Sequence, residues 1–265
     1  IKEVMDVLET GILMRYGFDK ERKGIYKVRE FEQAFAKYCG TDYALGVTSG
    51  SSALQVALTA MDVGPGDDVL VPAFTFLATY EAVMEVGAIP IMVDIDDTLN
   101  FDPLEIEKKK TPYTKAVIPV HMCGSAANID KIVDVARKNK LLVLEDNAQG
   151  CGASYKGKKL GSFGDMGTFS FDYVKTVTTG EGGMVTTDNR DIAKLAWNLR
   201  DHAFSSEHHF WHKFVGFNYR MTNLQAAVGL AQMEQIDSFV AARRRNAAES
   251  TAQLAGEVVL RTSTW

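Results

Sequence analysis

Short apolar runs rich in β-branched residues alternate with longer helical patterns along most of this sequence. The runs that indicate strands are Ala44–Val47, Val69–Val71, Ile89–Val93, Ala116–Val120, Leu141–Glu145, Thr168–Phe171 and Gly183–Thr187. Helical patterns lie between them, for example Ser52–Met61, Leu77–Val86 and Ile129–Asn139. Strands that are apolar throughout are typical of parallel sheets covered on both faces. The sequence therefore predicts an α/β fold with a mostly parallel seven-stranded sheet, helices on both faces, and ligands at the carboxyl ends of strands.

The rest of the chain predicts the domain organisation. Residues 1–35 have a largely helical pattern, and a long helix is expected from Thr222 onward, with a bend before the Arg243 region. We expect residues 1–235 to form one large domain that includes the N-terminal helical segment. Residues 236–265, with the apolar run Val258–Leu260, are expected to begin a small C-terminal domain that is truncated here. The first residue is not Met, which suggests missing residues upstream.

The composition argues against two classes of partner. A formal net charge of -5 argues against nucleic acid, because a nucleic-acid-binding surface normally carries a basic patch. The most apolar stretch, residues 69–93, includes Pro72 and Glu81 and is a poor candidate for a membrane span. The isolated cysteines Cys39, Cys123 and Cys151 favour reduced thiols in a cytoplasmic protein, where we expect them to be small buried packing residues.

A polar turn follows the first predicted strand, in the sequence Val47-Thr-Ser-Gly-Ser-Ser-Ala-Leu54. Free backbone N–H groups at a helix that begins near Ser52, together with serine hydroxyls, would form an anion site. An ordinary helix cap explains these residues equally well, because strand–glycine–helix turns are common.

The strand predicted at Leu141–Glu145 ends in acidic residues. Glu145 and Asp146 stand at its carboxyl end, and Gln149 follows closely. A carboxylate buried there needs a partner, and a protonated pyridine nitrogen would be one. Taken alone, the segment is explained better by a surface aspartate that caps the next turn.

A single lysine, Lys175, lies between the last two predicted strands and precedes Thr-Thr-Gly-Glu-Gly-Gly. A lysine at a strand end in apolar surroundings can lose its proton and act as an amine nucleophile. The glycines permit positive φ and close backbone approach. The run Thr-Thr-Gly-Glu-Gly-Gly is too specialised for a generic turn, which argues against the alternative that Lys175 is a surface lysine before a hairpin.

With these three elements in this order, the chain resembles the DegT/DnrJ/EryC1/StrS family of sugar aminotransferases. Members of that family depend on pyridoxal 5'-phosphate (PLP) and have fold type I, the fold of aspartate aminotransferase. The resemblance extends over roughly residues 1–239. Its motifs are Thr48–Ala53, Pro72–Thr79, Glu145–Gln149, Ser170–Lys175 and Gly216–Asn223.

The resemblance implies roles around the cofactor ring. Lys175 would be the Schiff-base lysine, and Asp146 would keep the pyridine nitrogen protonated; both would be catalytic. Gln149 would approach the phenolic oxygen of the cofactor. Phe76 would stack on the ring, with plain core packing as the alternative.

The resemblance also implies how the cofactor phosphate is bound. Ser51, Ser52 and Ser170 would hold it within one subunit. Asn218 would reach the phosphate of the neighbouring subunit, so the resemblance implies a homodimer with shared active sites.

This sequence departs from the family pattern at several positions. Ser51 replaces the usual threonine, and Asn147 stands where a small residue is usual. Asp172 and Tyr173 occupy positions that vary with substrate. The family also continues well beyond the length of this chain.

The implied activity is transfer of an amino group from an amino acid, with glutamate expected, to a keto sugar, for amino-sugar or surface-polysaccharide biosynthesis. Pyridoxamine phosphate would be the intermediate, and a nucleotide-linked acceptor is expected. The alternatives are an eight-carbon keto sugar acid as acceptor, a PLP-dependent sugar dehydratase, and a non-catalytic PLP-binding regulator or fragment. Lys175 argues against the dehydratases that have histidine in its place. A nucleotide-binding oxidoreductase would need G-x-G-x-x-G after Ala44–Val47, where the sequence has none.

Most of the histidines cluster near the end of the predicted large domain. His202, His208, His209 and His212 match no standard zinc spacing. We therefore expect no metal site there, and instead a mobile loop near the substrate entrance. His121 follows a predicted strand and could face the cleft.

Overall fold

A seven-stranded sheet lies at the centre of the protein, in the order β1-β9-β8-β5-β4-β2-β3. The computed structural model describes residues 1–204 and 211–254. The strands are β1 (Tyr43–Val47), β2 (Asp68–Pro72), β3 (Ile89–Val93), β4 (Thr114–Val117), β5 (Leu142–Asp146), β8 (Met166–Ser170) and β9 (Gly183–Thr187), with the hairpin β6 (Ser154–Tyr155) and β7 (Lys158–Lys159) outside the sheet. All seven predicted strands are confirmed, with ends that differ by a few residues at most.

The sheet is parallel except at β9. Parallel pairs join β2 to β3 and to β4, β4 to β5, and β5 to β8, whereas β9 runs antiparallel to both β8 and β1. A parallel neighbour would require a crossover helix between β8 and β9, and the loop that carries Lys175 has no such helix. The prediction of a mostly parallel sheet is therefore confirmed.

Helices cover both faces of the sheet. Their bounds are α1 (Lys2–Thr10), α2 (Lys27–Cys39), α3 (Gly50–Ala60), α4 (Ala78–Glu85), α5 (Glu105–Lys109), α6 (Ile129–Lys138), α7 (Arg190–Leu199), α8 (Asn223–Met233) and α9 (Ile236–Leu254). The break between α8 and α9 confirms the expected bend. The proposal that residues 236–265 begin a second domain stays a prediction, and Val258–Leu260 lies outside the described residues.

The expectation of a largely helical N-terminus is only partly confirmed, because the segment between α1 and α2 is irregular. Gly11 ends α1 in the left-handed conformation, with φ of 68°. The buried guanidinium of Arg22 then donates to the carbonyl oxygens of Met14, Tyr16 and Gly17. These bonds satisfy carbonyls that a helix would have paired internally.

Alternation along the strands divides the core between two faces. On β5, Val143 packs in a cluster with α6, whereas Leu144 packs in a cluster with α3 on the opposite face. Beside the α6 cluster, α2 packs Phe35 against Phe169 and Phe171 of the β8 region, at ring-centroid distances of 4.8 and 5.4 Å. Burial on both faces explains why the strands are apolar throughout.

The cysteines are not all packing residues. Cys39 and Cys151 are buried as expected, but Cys123 is exposed because it lies in a short turn after β4. Among the described helices, none combines the length and the apolar character needed to cross a membrane.

We expect Phe35→Ala to lower the free energy of unfolding by about 3–5 kcal/mol, the usual cost of removing a fully buried aromatic ring. Urea unfolding measures the change. The matched control is Tyr113→Ala, since Tyr113 is 68% exposed and its loss should change stability by less than about 0.5 kcal/mol. Equal effects of the two substitutions would contradict the packing described for α2.

Candidate active site

A cavity of about 430 Å³ opens at the carboxyl ends of β5 and β8, beside the first turn of α3. Most of the residues predicted for the site line it: Ser51, Phe76, Asp146, Gln149, Ser170 and Lys175. A larger groove of about 650 Å³ between α2 and α8 contains none of these residues. The smaller cavity is therefore the candidate site, at the strand ends where α/β sheets bind ligands.

The first turn of α3 is capped in a way that leaves two N–H groups available. The Ser49 hydroxyl accepts a hydrogen bond from the Ser52 N–H at 3.0 Å, and the Ser52 hydroxyl accepts one from the Ser49 N–H at 2.8 Å. Gly50 and Ser51 occupy the first two helical positions, whose N–H groups no intrahelical carbonyl can reach. With the Ser51 hydroxyl they are hydrogen-bond donors of the kind that bind anions.

Ser52 lies behind the wall of the cavity. It is buried, and its hydroxyl donates to the carbonyl oxygen of Ser49 at 2.8 Å. Since its N–H also bonds to Ser49, both of its donors are used inside the turn. Ser52 therefore holds the turn. Sequence reasoning did not select Gly50, whose N–H has no acceptor among residues 1–204 and 211–254.

Two glycines allow the helix terminus and the strand ends to meet. A Cβ atom on Gly50 would lie 2.7 Å from the Cβ atom of Ser170, and a Cβ atom on Gly183 would lie 2.2 Å from the carbonyl oxygen of Ser49. Neither position has room for a side chain. This close approach explains how Ser51 and Ser170 come to line one end of the cavity.

Asp146 is a buried carboxylate at the carboxyl end of β5. Its Oδ1 atom accepts a hydrogen bond from the Ala148 N–H at 3.0 Å, and its Oδ2 atom accepts one from the Thr79 hydroxyl at 2.9 Å. Burial raises the pKa of Asp146 above its usual value, although both hydrogen bonds oppose this rise. A cation bound in the cavity would offset the cost of the buried charge.

The amide of Gln149 is oriented by the turn after β4. Its Oε1 atom accepts a hydrogen bond from the Cys123 N–H at 2.8 Å, so the amide nitrogen is at the other end of the group. That nitrogen has one weak contact, at 3.4 Å, with the sulfur of Met122. Gln149 lines the cavity and has a donor available for an oxygen atom there.

Lys175 lies in the loop after β8. Its N–H donates to the carbonyl oxygen of Asp172 at 3.0 Å, and the Asp172 carboxylate accepts from the Tyr173 N–H at 2.6 Å. The Lys175 side chain lines the cavity, and within residues 1–204 and 211–254 it forms no ion pair. An amine without a carboxylate partner can serve as a nucleophile or a base.

Two of the predicted residues are open to solvent. Phe76 is 72% exposed at the cavity wall, which excludes the alternative of core packing. Asn218 is also exposed, and it is not among the residues that line this cavity. Its position is compatible with a contact to another molecule.

His121 does not face the cleft. It is fully buried, its Nε2 atom lies 3.2 Å from Glu145, and its Nδ1 atom accepts a hydrogen bond from the Ala127 N–H. Glu145 also accepts from the N–H groups of residues 161, 163 and 164. The pair anchors the turn after β4 behind the cavity. His208 and His209 lie outside the described residues.

Sequence reasoning missed Ser49, Thr75 and Thr79, which also line the cavity. Ser49 and Ser52 have the spacing of a capping box, which is a usable signal. Thr79 gave no signal, because its contact with Asp146 joins residues far apart in the chain.

The family model of the DegT/DnrJ/EryC1/StrS aminotransferase family matches residues 2–264. The GDP-perosamine synthase of Caulobacter vibrioides is 50% identical over 217 residues, which cover 82% of this chain and 58% of that protein. The dTDP-3-amino-3,4,6-trideoxy-alpha-D-glucose transaminase of Streptomyces venezuelae is 38% identical over 252 residues, which cover 94% of this chain and 64% of that protein. The chain thus spans about three fifths of the length of these relatives.

Among solved structures, the chain is similar to a putative sugar aminotransferase of Streptococcus pneumoniae in its PMP form. The TM-score is 0.88 and the sequence identity 30%, over 96% of this chain and 68% of that one.

We expect Asp146→Asn to stabilise the ligand-free protein by about 1 kcal/mol at neutral pH, because it removes a buried charge and keeps both hydrogen bonds possible. The Asp146 pKa is raised in the folded state above the value of 3.8 for an unfolded chain. The folded parent therefore binds the proton more tightly than the unfolded parent, and its stability rises as pH falls through the raised pKa. The advantage of the variant should shrink over the same range.

Urea unfolding at several pH values measures this difference. The exposed Asp134, changed to Asn, is the matched control, and it should alter stability little. A variant that is less stable than the parent at neutral pH would contradict the account of Asp146.

Proposed function

The chain belongs to the DegT/DnrJ/EryC1/StrS aminotransferase family, and on this premise we propose that it transfers an amino group from an amino acid to a nucleotide-linked keto sugar, with PLP as cofactor. The observation that carries the proposal is the single cavity that brings together Lys175, Asp146, Gln149 and the serines of α3 and β8. The chain spans 58% of the length of the Caulobacter relative, so the activity of a whole protein of this family is a proposal for it.

The donor and acceptor groups of the cavity fit PLP. At one end, Gly50, Ser51 and Ser170 offer N–H and hydroxyl donors to a phosphate. In the same cavity, the buried Asp146 offers an acceptor to a protonated ring nitrogen, and the Gln149 amide offers a donor to a phenolic oxygen. The exposed ring of Phe76 offers a stacking surface.

PLP supplies an electron sink that stabilises a carbanion next to the amino group. Lys175 would hold the cofactor through its amine and, once displaced by the amino donor, would move a proton from the donor's α-carbon through Nζ. A positioned proton-transfer group typically contributes a factor of about 100 to 10,000. Asp146 would hold the proton on the ring nitrogen, and the turn of α3 would fix the phosphate end.

The names of the relatives support a nucleotide-linked sugar as acceptor. The Caulobacter protein is named for a GDP-linked product and the Streptomyces protein for a dTDP-linked one. We propose the class that these two share, with glutamate as the expected donor.

We further propose a homodimer in which Asn218 binds the phosphate in the partner's cavity. The exposed Asn218 side chain lies in a segment that is fixed on both sides: the Phe217 N–H donates to the carbonyl oxygen of Leu199 at 2.6 Å, and the Tyr219 hydroxyl donates to Gln55 of α3 at 2.6 Å. A rigid segment with an exposed amide suits a contact across an interface. The cytoplasmic location stays a prediction that rests on the isolated cysteines.

We expect Lys175→Ala to lower the rate of amino transfer at least about 1,000-fold, because it removes both the covalent holder and the proton carrier. The variant should also lose the visible absorption band of the bound cofactor. The exposed Lys194 on α7 supplies the control, and Lys194→Ala should leave both properties unchanged. A parental protein that binds PLP but transfers no amine from any amino acid would instead favour a dehydratase or a non-catalytic regulator.

A second experiment tests the shared site. Lys175→Ala chains mixed with Asn218→Ala chains should regain up to about one quarter of parental activity, because a random two-fold dimer of this kind contains one intact site in half of its molecules. Each variant refolded alone is the control. Mixtures no more active than the separate variants would overturn the placement of Asn218 in the partner's site.

A further inference from the structure

Thr79 contacts both parts of the site that would bind the cofactor ring, namely the Asp146 carboxylate and the segment that carries Phe76. It lies in the first turn of α4 and is 1% exposed. Its hydroxyl is 2.9 Å from Oδ2 of Asp146, and its N–H donates to the carbonyl oxygen of Phe76 at 3.2 Å. One residue therefore contacts both the buried carboxylate and the segment that carries the exposed aromatic ring.

The hydroxyl groups form a chain with a defined direction. The Thr75 hydroxyl lies 2.9 Å from the Thr79 hydroxyl, and either could donate to the other. An ionised carboxylate only accepts, so the single hydroxyl proton of Thr79 is directed to Asp146. Thr75 must then donate to Thr79. The chain runs from the cavity wall at Thr75 to the carboxylate, and it holds its direction while Asp146 is charged.

The surroundings of Asp146 offer few other donors. Besides Thr79, the Ala148 N–H is its hydrogen-bond donor among the described residues, and the titratable groups that face it are His121, after β4, and Lys175, after β8. His121 is engaged with Glu145 at 3.2 Å. Thr79 is therefore the one side chain in this part of the structure that bonds to the carboxylate.

We propose that Thr79 is a positioning residue of the site. Its hydroxyl orients the Asp146 carboxylate toward the ring nitrogen of the cofactor. Its hydrogen bonds to Thr75 and Phe76 hold the stacking segment at a fixed position relative to that carboxylate. This role rests on the proposed function, because it requires a ring with a protonated nitrogen. Because only 1% of its surface is exposed, Thr79 would act through Asp146 and Phe76.

The test compares PLP affinity among variants of the cofactor-free protein, measured by titration with PLP. Thr79→Val keeps the shape of the side chain and removes the hydroxyl, so affinity should fall about 10-fold, because the ligand-free protein no longer holds Asp146 in the orientation that meets the ring nitrogen. Thr79→Ser keeps the hydroxyl and should restore most of it. Thr59→Val makes the same change in α3, where the hydroxyl bonds to the carbonyl oxygen of Gln55, and it should leave affinity unchanged.

Two further measurements separate positioning from packing. Without the Thr79 donor, Asp146 should take up a proton at higher pH, so the affinity deficit of Thr79→Val should be largest at low pH and shrink as pH rises. A PLP analogue with carbon in place of the ring nitrogen should bind to parent and Thr79→Val with nearly equal affinity. Melting temperatures of the cofactor-free proteins show whether each variant is folded.

The proposal is overturned if folded Thr79→Val binds PLP as the parent does, or if Thr79→Ser is as weak as Thr79→Val. It is also overturned if the analogue loses as much affinity as PLP, because the effect would then not pass through Asp146. Failure of the proposed function has a different signature: either the parent and every variant fail to bind PLP at all, or the parent binds PLP and transfers no amine, an outcome that leaves the comparison of PLP affinities intact.

Discussion

The site depends on two adjacent carboxylates at the end of β5 that point in opposite directions. Glu145 accepts hydrogen bonds from backbone N–H groups of residues 161, 163 and 164, and His121 Nε2 lies 3.2 Å from it, so its buried charge is compensated within the protein. Within the described part of the chain, Asp146 accepts from one backbone N–H and from the Thr79 hydroxyl. Because neighbouring side chains of a strand point to opposite faces, Glu145 serves the fold, whereas the buried charge of Asp146 would be fully compensated only by a bound cation.

The sequence predicted the sheet well because burial on both faces requires continuous apolar runs, such as those of β2 and β8. It predicted most of the cavity because Asp146, Ser170 and Lys175 stand at strand ends, which meet at one edge of a sheet. Local patterns carry no information about contacts between distant residues. The burial of His121 against Glu145 and the contact of Thr79 with Asp146 therefore became visible only in the structure.

The segment that carries Asn218 depends on a buried ion pair beneath it. Arg200 donates through Nη1 to Glu32 and to the carbonyl oxygen of Gly46 on β1, and burial lowers the pKa of Arg200 to about 10. Its backbone carbonyl accepts from the Tyr219 N–H at 2.8 Å. The guanidinium of Arg200 thus links α2 to the sheet edge, and its backbone carbonyl links both to the exposed Asn218 segment.

The close contact at Gly50 and Gly183 means that one wall of the cavity tolerates no substitution, whereas the rim elsewhere does. No side chain fits where α3 meets the sheet, so substitution at either glycine would disrupt the anion site before it changed selectivity. At another part of the rim, Val174 lines the cavity and its side chain is 56% exposed. A library of variants that seeks new acceptor sugars should therefore be concentrated on that rim, where altered shape costs the fold little.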